Sequence, residues 1–204
     1  TEPRDRFAVQ GARDALVALS GALKVVAVAL TKICNDLRWM ASGPRTGLGE
    51  ITLPALQKGS SIMPGKVNPV IPESVVQVCA QVIGNDTAIT IGGMQGNFEL
   101  NVMIPLIARN VIQSADLLAA GSAVLASSCV DGIEANVERC AELAESTLAS
   151  ATALNPVIGY DAATEIVNEA HASGRRLRDV ARDRGVDSDV LDAALDLRRI
   201  AAGN

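Results

Sequence analysis

An all-α fold, a bundle of long helices with a small helical domain at its C-terminal end, is what three features of this sequence predict. The first is an apolar stripe, Leu16, Leu19, Leu23, Val26, Leu30, Ile33, Leu37 and Met40, whose spacings alternate between three and four without a break. The second is composition: 49% of the 204 residues are hydrophobic but only 2% are aromatic. A core made of Ala, Val, Leu and Ile suits closely packed helices better than a sandwich or barrel, whose strands draw on aromatics. The third is a change of pattern near Val130, where long apolar segments give way to shorter, more charged ones.

Taken in order, the stripe predicts one long helix, flanked by Ala15, Ala18, Ala22 and Ala29 and stopped by Ser42-Gly43-Pro44. Residues 44–72 are rich in proline and glycine, and a loop of that length in a compact domain is usually functional or disordered. A second helix is expected from Glu73 to about Ile91, with Val75, Val78, Val82 and Ile89 inward, broken by the glycines at 92, 93 and 96. A third runs from about Leu100 to Ser128 with Leu100, Ile104, Ile107, Val111, Leu118 and Leu125 inward, and Pro105 as a kink or first-turn residue. Shorter segments follow at 135–151, 161–172, 177–184 and 188–201, with a turn at Asn155-Pro156 and Gly159. The expected domains are 1–137 and 138–204. Several of the long helices are apolar over more than one stripe, which in a chain of this size implies that oligomer contacts cover them.

Composition also narrows the function. The net charge is −5, and no basic cluster is interleaved with aromatics, so nucleic acid is not an expected partner. Cys34, Cys79, Cys129 and Cys140 form no C-x-x-C pair and read as reduced, mostly buried thiols. His171 is the only histidine, and one histidine without paired cysteines argues against a metal site. Its setting, Glu169-Ala170-His171-Ala172, reads as a surface position. The arginines and aspartates at 175–189 read as a solvated face, with Arg175 and Asp179 at i,i+4 spacing. Residues 1–14 are charged and lack an apolar signal core, and Ala22–Leu30 is apolar except for Lys24 but too short to span a bilayer. A soluble, cytoplasmic protein without a membrane partner is therefore the expectation.

The segment richest in chemistry is Gly59-Ser60-Ser61-Ile62-Met63-Pro64-Gly65-Lys66-Val67-Asn68-Pro69. It is not a Walker A loop: five residues separate its glycines, Pro64 among them, and Val67 stands where a magnesium-binding hydroxyl is needed. Nor are the glycines at 92, 93 and 96 a dinucleotide fingerprint, because a helix rather than a strand precedes them. Ser, Gly, Pro and Asn are ordinary turn residues. What argues for a site is Lys66 and Asn68 beside the serines: an ammonium and a carboxamide two positions apart, a ready receptor for a carboxylate.

Those eleven residues resemble the signature of the fumarase/aspartase superfamily. The resemblance extends to Ala41-Ser42-Gly43-Pro44-Arg45, Gly84-Asn85-Asp86, Gly96-Asn97-Phe98-Glu99-Leu100-Asn101-Val102 and Leu154-Asn155-Pro156-Val157-Ile158-Gly159-Tyr160, essentially the whole chain. Gly65 and the Asn97-to-Asn101 run are similar to class II fumarate hydratases; aspartate ammonia-lyases typically carry Ala at the first position and a Gln-containing run at the second. The resemblance implies reversible hydration of fumarate to (S)-malate through an aci-carboxylate, without metal or organic cofactor, on a long-helix bundle that forms the core of a homotetramer. It implies Ser60 as the base, Lys66 and Asn68 at the substrate carboxylate, and Ser61 and the Val67 backbone lining the same site. Glu73 matches the carboxylate that pairs with a catalytic histidine, and also suits a helix first turn. Members of the family are about twice as long, and the absent half, expected N-terminal to Thr1, supplies that histidine; His171 does not match it. Alternatives are an ammonia-lyase or other lyase of the superfamily, and a non-catalytic helical oligomerisation module.

Overall fold

The computed structural model describes residues 2–57, Gly59 and residues 61–203. Two compact units divide the chain, Thr1–Ala135 and Asn136–Asn204. The first unit holds a short turn α1 (Ala8–Gly11), then α2 (Asp14–Met40), β1 (Ile51–Thr52), α3 (Val70–Met94), α4 (Ile104–Ser128) and β2 (Glu134–Ala135). β1 and β2 pair antiparallel, Ile51 opposite Ala135 and Thr52 opposite Glu134, and tie the segment after α2 to the segment after α4. The fold is all-α, since these two-residue strands are the only sheet among the described residues.

α2, α3 and α4 pack on one another around Ala27, Cys34, Leu37, Val75, Cys79, Val82, Leu118, Leu125 and Cys129. The buried seam of α2 is rotated by one residue from the predicted stripe. Ser20, Ala27 and Cys34 are buried at heptad spacing, and Leu23, Leu30 and Leu37 flank them. Leu19, Val26 and Ile33, three members of the predicted stripe, are about half exposed, at 47%, 45% and 46%. Small residues lie on the seam because α3 comes close, which pushes the branched side chains onto a second, uncovered face. By length and composition alone, α2 and the span Ile104–Gly132 could each cross a bilayer. The expectation that Ala22–Leu30 is too short holds for that stretch and fails for the 27-residue helix containing it. Ser20 and Lys24 of that helix nevertheless bind a carboxylate on α3, as in a helix packed among protein neighbours.

Two boundaries differ from expectation for physical reasons. α3 begins at Val70 rather than Glu73, because Pro72 falls in the first turn, where its missing N–H has no partner to lose. It also runs through Gly92 and Gly93 to Met94. A Cβ on Gly92 would lie 2.8 Å from Ile107 Cγ1, so that glycine is a point of close approach between α3 and α4 rather than a helix breaker. α4 begins at Ile104, with Pro105 in its first turn; Leu100 and Ile104, expected inward, are 62% and 41% exposed. The preceding residues 97–100 close a tight turn held by reciprocal backbone hydrogen bonds of 2.8 and 3.2 Å. Buried Asn101 donates to the Gly92 carbonyl at 3.1 Å and accepts from the Met103 N–H at 2.9 Å, pinning the start of α4 to the end of α3.

Cys34, Cys79 and Cys129 are buried free thiols and Cys140 is half-buried. Burial pushes the Cys34 thiol up to about 11, helped by Cys79 and Cys129 and opposed by Arg38. The second unit is built from α5 (Val137–Ser146), a 3-10 turn at Ala149–Leu154, α6 (Asn155–Ile158), α7 (Tyr160–Ser173), α8 (Leu177–Asp183), α9 (Ser188–Ala194) and α10 (Leu197–Ala201). Leu154, Ile166, Val180 and Leu191 centre its core. The expected helix at 188–201 is two helices, because Asp196 accepts from the N–H groups of Arg198 and Arg199 and so starts a new one. Arg175 precedes α8, so the helical i,i+4 pairing with Asp179 does not form; it pairs with Asp183 at 2.5 Å instead. His171 lies exposed in the last turn of α7.

The Asp86 carboxylate on α3 accepts from Ser20 Oγ at 2.7 Å and from Lys24 Nζ at 2.6 Å. Burial alone would raise its pKa, but the Lys24 and Ser20 hydrogen bonds and the Lys24 charge outweigh that and hold it below the usual carboxylate value. A depressed folded-state pKa gives stability that is present above the unfolded value near 4 and lost as pH falls through the folded one. Asp86→Asn is therefore expected to lose about 1.5–3 kcal/mol at pH 7. In urea unfolding the gap to the parent should shrink below about pH 4; a gap that stays constant there would show that the ionised carboxylate contributes nothing.

Candidate active site

Residues 41–69 cross from the end of α2 to the start of α3. Ser42 Oγ accepts from the Leu48 N–H at 3.1 Å, and the Glu50 N–H donates to the Met40 carbonyl at 2.9 Å, so the chain turns back tightly after α2. The far end is anchored too: Pro69, Val70, Ile71 and Pro72 line a small apolar recess with Leu53, Pro54, Leu56, Ser128 and Cys129. Between these anchors stands the Gly-Ser-Ser loop.

The loop is closed at its base. The Gly59 N–H donates to the Lys66 carbonyl at 2.8 Å, and Asn68 Nδ2 donates to the Gly59 carbonyl at 2.8 Å. Strands this close leave no room for a side chain: a Cβ on Gly59 would lie 2.6 Å from the Lys66 oxygen and 2.9 Å from the Asn68 nitrogen. The Lys66 N–H reaches the Met63 carbonyl at 3.3 Å, closing a turn whose Gly65 has φ of +75°. Ser61, Lys66 and Val67 are exposed on this ring, and Asn68 is half-buried at its neck. Ser60, the expected base, lies outside the described residues.

Of the expected site residues, Lys66 has no ion pair among the described residues. Asn68 spends one amide hydrogen on Gly59, which leaves its second N–H and its oxygen for another partner. Glu73 sits half-buried in the first turn of α3, where the helix dipole favours a carboxylate. Its Oε1 lies 3.8 Å from Nη2 of Arg38 in the last turn of α2. Sequence reasoning did not single out Arg38, because only the antiparallel packing of α2 and α3 brings positions 38 and 73 together. Also unforeseen is an open groove of about 620 Å³ between α3 and α4, lined by Ser74, Gln77, Gln81, Asn85, Arg109, Asn110 and Gln113. The polar residues at 74, 77, 81 and 85, three to four apart, were its available signal. It contains none of the loop residues.

Two family models match the chain, one described as lyase over residues 2–84 and one as fumarase C C-terminus over residues 151–202. A class II fumarate hydratase of Corynebacterium glutamicum is 53% identical over 98% of the chain. The chain belongs to the fumarase family of lyases. It spans 44% of that relative's length. Among solved structures, the fumarate lyase:delta crystallin of Brucella melitensis superposes with a TM-score of 0.93 at 52% identity, over 98% of this chain and 44% of that one. The class II fumarase of Schistosoma mansoni superposes with a TM-score of 0.94 at 36% identity, over the whole chain and 43% of that protein. The all-α fold of the chain is thus that of the fumarase family.

The closed base makes a prediction of its own. Gly59→Ala places a methyl against the Lys66 carbonyl and forces the ring open, so amide hydrogen exchange at residue 59 should accelerate at least about tenfold. The far-ultraviolet circular dichroism, dominated by the long helices, should not change. Unaltered exchange at residue 59 would mean that the closed ring is not the populated state.

Proposed function

We propose that this chain is the C-terminal portion of an enzyme that interconverts fumarate and (S)-malate. The observation that carries the reading is that Lys66 and Asn68 stand on one closed loop beside Ser61 in a chain about half identical to class II fumarate hydratases. In this reading Ser60, as an alkoxide, takes the proton from the carbon next to a substrate carboxylate. That carboxylate becomes the doubly charged aci-form, and the hydroxyl on the neighbouring carbon takes a proton from a general acid, assigned to the histidine that pairs with Glu73, and leaves as water. Lys66 and Asn68 hold the carboxylate on which the charge develops, with Ser61 and the Val67 backbone completing the contacts. A serine is far too weak an acid to ionise unaided, so the loop must supply backbone donors and positive charge to the alkoxide. Gly59 permits close backbone approach and Gly65 a left-handed turn, and the Lys66 ammonium, with no ion pair among the described residues, stabilises both anions.

Glu73 is assigned to pair with a histidine outside these 204 residues, so the chain alone is expected to be inactive. The uncovered apolar face of α2, with Leu19, Val26 and Ile33, supports assembly of the complete protein into a homotetramer whose sites are shared between chains. Cytoplasmic work in the tricarboxylic acid cycle is the setting that fits this activity.

The test is turnover by the complete protein, followed in the fumarate absorbance band with malate and with aspartate as substrates. Malate should be turned over, and Ser60→Ala should lower kcat by about 10³-fold. Turnover of aspartate alone would reassign the chain to an ammonia-lyase, and a Ser60→Ala variant within a few-fold of the parent would remove the serine from the chemistry.

A further inference from the structure

We infer that Arg38 is a positioning residue that sets the orientation of the Glu73 carboxylate, an inference that rests on the reading above. Arg38 stands in the last turn of α2 and Glu73 in the first turn of α3. The pair therefore bridges the two helix ends between which the Gly-Ser-Ser loop is strung. One arm of the guanidinium is committed within its own helix, Nη1 donating to Asn35 Oδ1 at 3.0 Å. The other arm, Nη2, faces Glu73 Oε1 at 3.8 Å and is the only ion-pair partner of that carboxylate among the described residues. With one arm anchored, the planar fork presents its second arm in a defined direction.

The distance matters. At 3.8 Å the contact is ionic and too long for a hydrogen bond, so Glu73 keeps its acceptor lone pairs for a closer donor. That is the arrangement needed by a carboxylate that must be held in place from one side while a histidine N–H binds it from the other. A purely structural ion pair is a weaker explanation. Both side chains are about two fifths exposed, at 40% and 38%, and pairs of that exposure add little to stability.

Because Arg38 acts through Glu73 and not on the substrate, its loss should appear in kcat and not in KM. In the complete protein Arg38→Gln is expected to lower kcat for malate by about tenfold, the size of effect that misplacing a reacting partner produces. KM should stay within about twofold and the thermal midpoint within about 2 °C, as for loss of an exposed pair. Arg38→Lys, which keeps the charge, should recover most of the loss. The deciding measurement is a double-mutant cycle: in a Glu73→Gln background, Arg38→Gln should cost nothing further. Additive losses in the cycle, a kcat unchanged by Arg38→Gln, or a change confined to KM would each overturn the inference. Insensitivity of kcat to Glu73→Gln alone has a different meaning, since it would overturn the underlying reading of the site.

Discussion

The Gly-Ser-Ser loop is strung between the ends of α2 and α3, so its placement depends on how those helices lie together, and one buried carboxylate fixes that pairing. Asp86, 6% exposed, is satisfied by Ser20 and Lys24, whose positions four apart put both donors on one face of α2. An unpaired charge at that depth would be costly, so any register that separated Asp86 from its donors would be penalised far more than a shift between apolar side chains. With this register set, Ala27 and Cys34 meet Val75, Cys79 and Val82, and the C-terminal end of α2 arrives beside the N-terminal end of α3. Arg38 and Glu73 face each other for that reason, and the loop between the helices has fixed ends.

The loop itself is a small closed ring on a rigid base. Two hydrogen bonds at Gly59 hold its neck, and the apolar recess under Pro69–Pro72 holds its exit into α3. Its chemical groups nevertheless look outward: Ser61, Lys66 and Val67 are exposed, and Glu73 meets one arginine at 3.8 Å. An exposed ammonium and an exposed hydroxyl have little power over a proton next to a carboxylate, because water screens them. The proposed chemistry therefore needs further protein to close over the ring and exclude water. The uncovered Leu19, Val26 and Ile33 face of α2 and the chain's 44% coverage of its C. glutamicum relative's length fit that need.

Much of this was legible in sequence. Helical periodicity found the three long helices, and the prolines at 64 and 69 located the irregular segment between them. The eleven-residue motif and four shorter runs carried the resemblance to the family. What periodicity could not give was the rotation of α2, because Ser20, Ala27 and Cys34 are small or polar and carry little apolar signal, yet close approach requires them on the seam. Gly92 looks like a helix breaker in sequence for a similar reason; its role depends on Ile107, fifteen residues on along the chain and on a different helix. At the candidate site, Lys66, Asn68 and Glu73 could be proposed from the chain, but not the ring closed by Asn68 on Gly59 or the meeting of Glu73 with Arg38. Those are contacts across the fold, and no local pattern encodes them.

If the ring at 59–69 is a receptor for a substrate carboxylate, equilibrium binding will report it. Titration calorimetry of the complete protein with fumarate, for the parent and for Lys66→Ala, measures it without requiring turnover. Loss of a charge-assisted contact to a carboxylate should weaken binding by at least about tenfold, with the fold intact by circular dichroism. An unchanged dissociation constant in the folded variant would contradict the claim and place the carboxylate elsewhere.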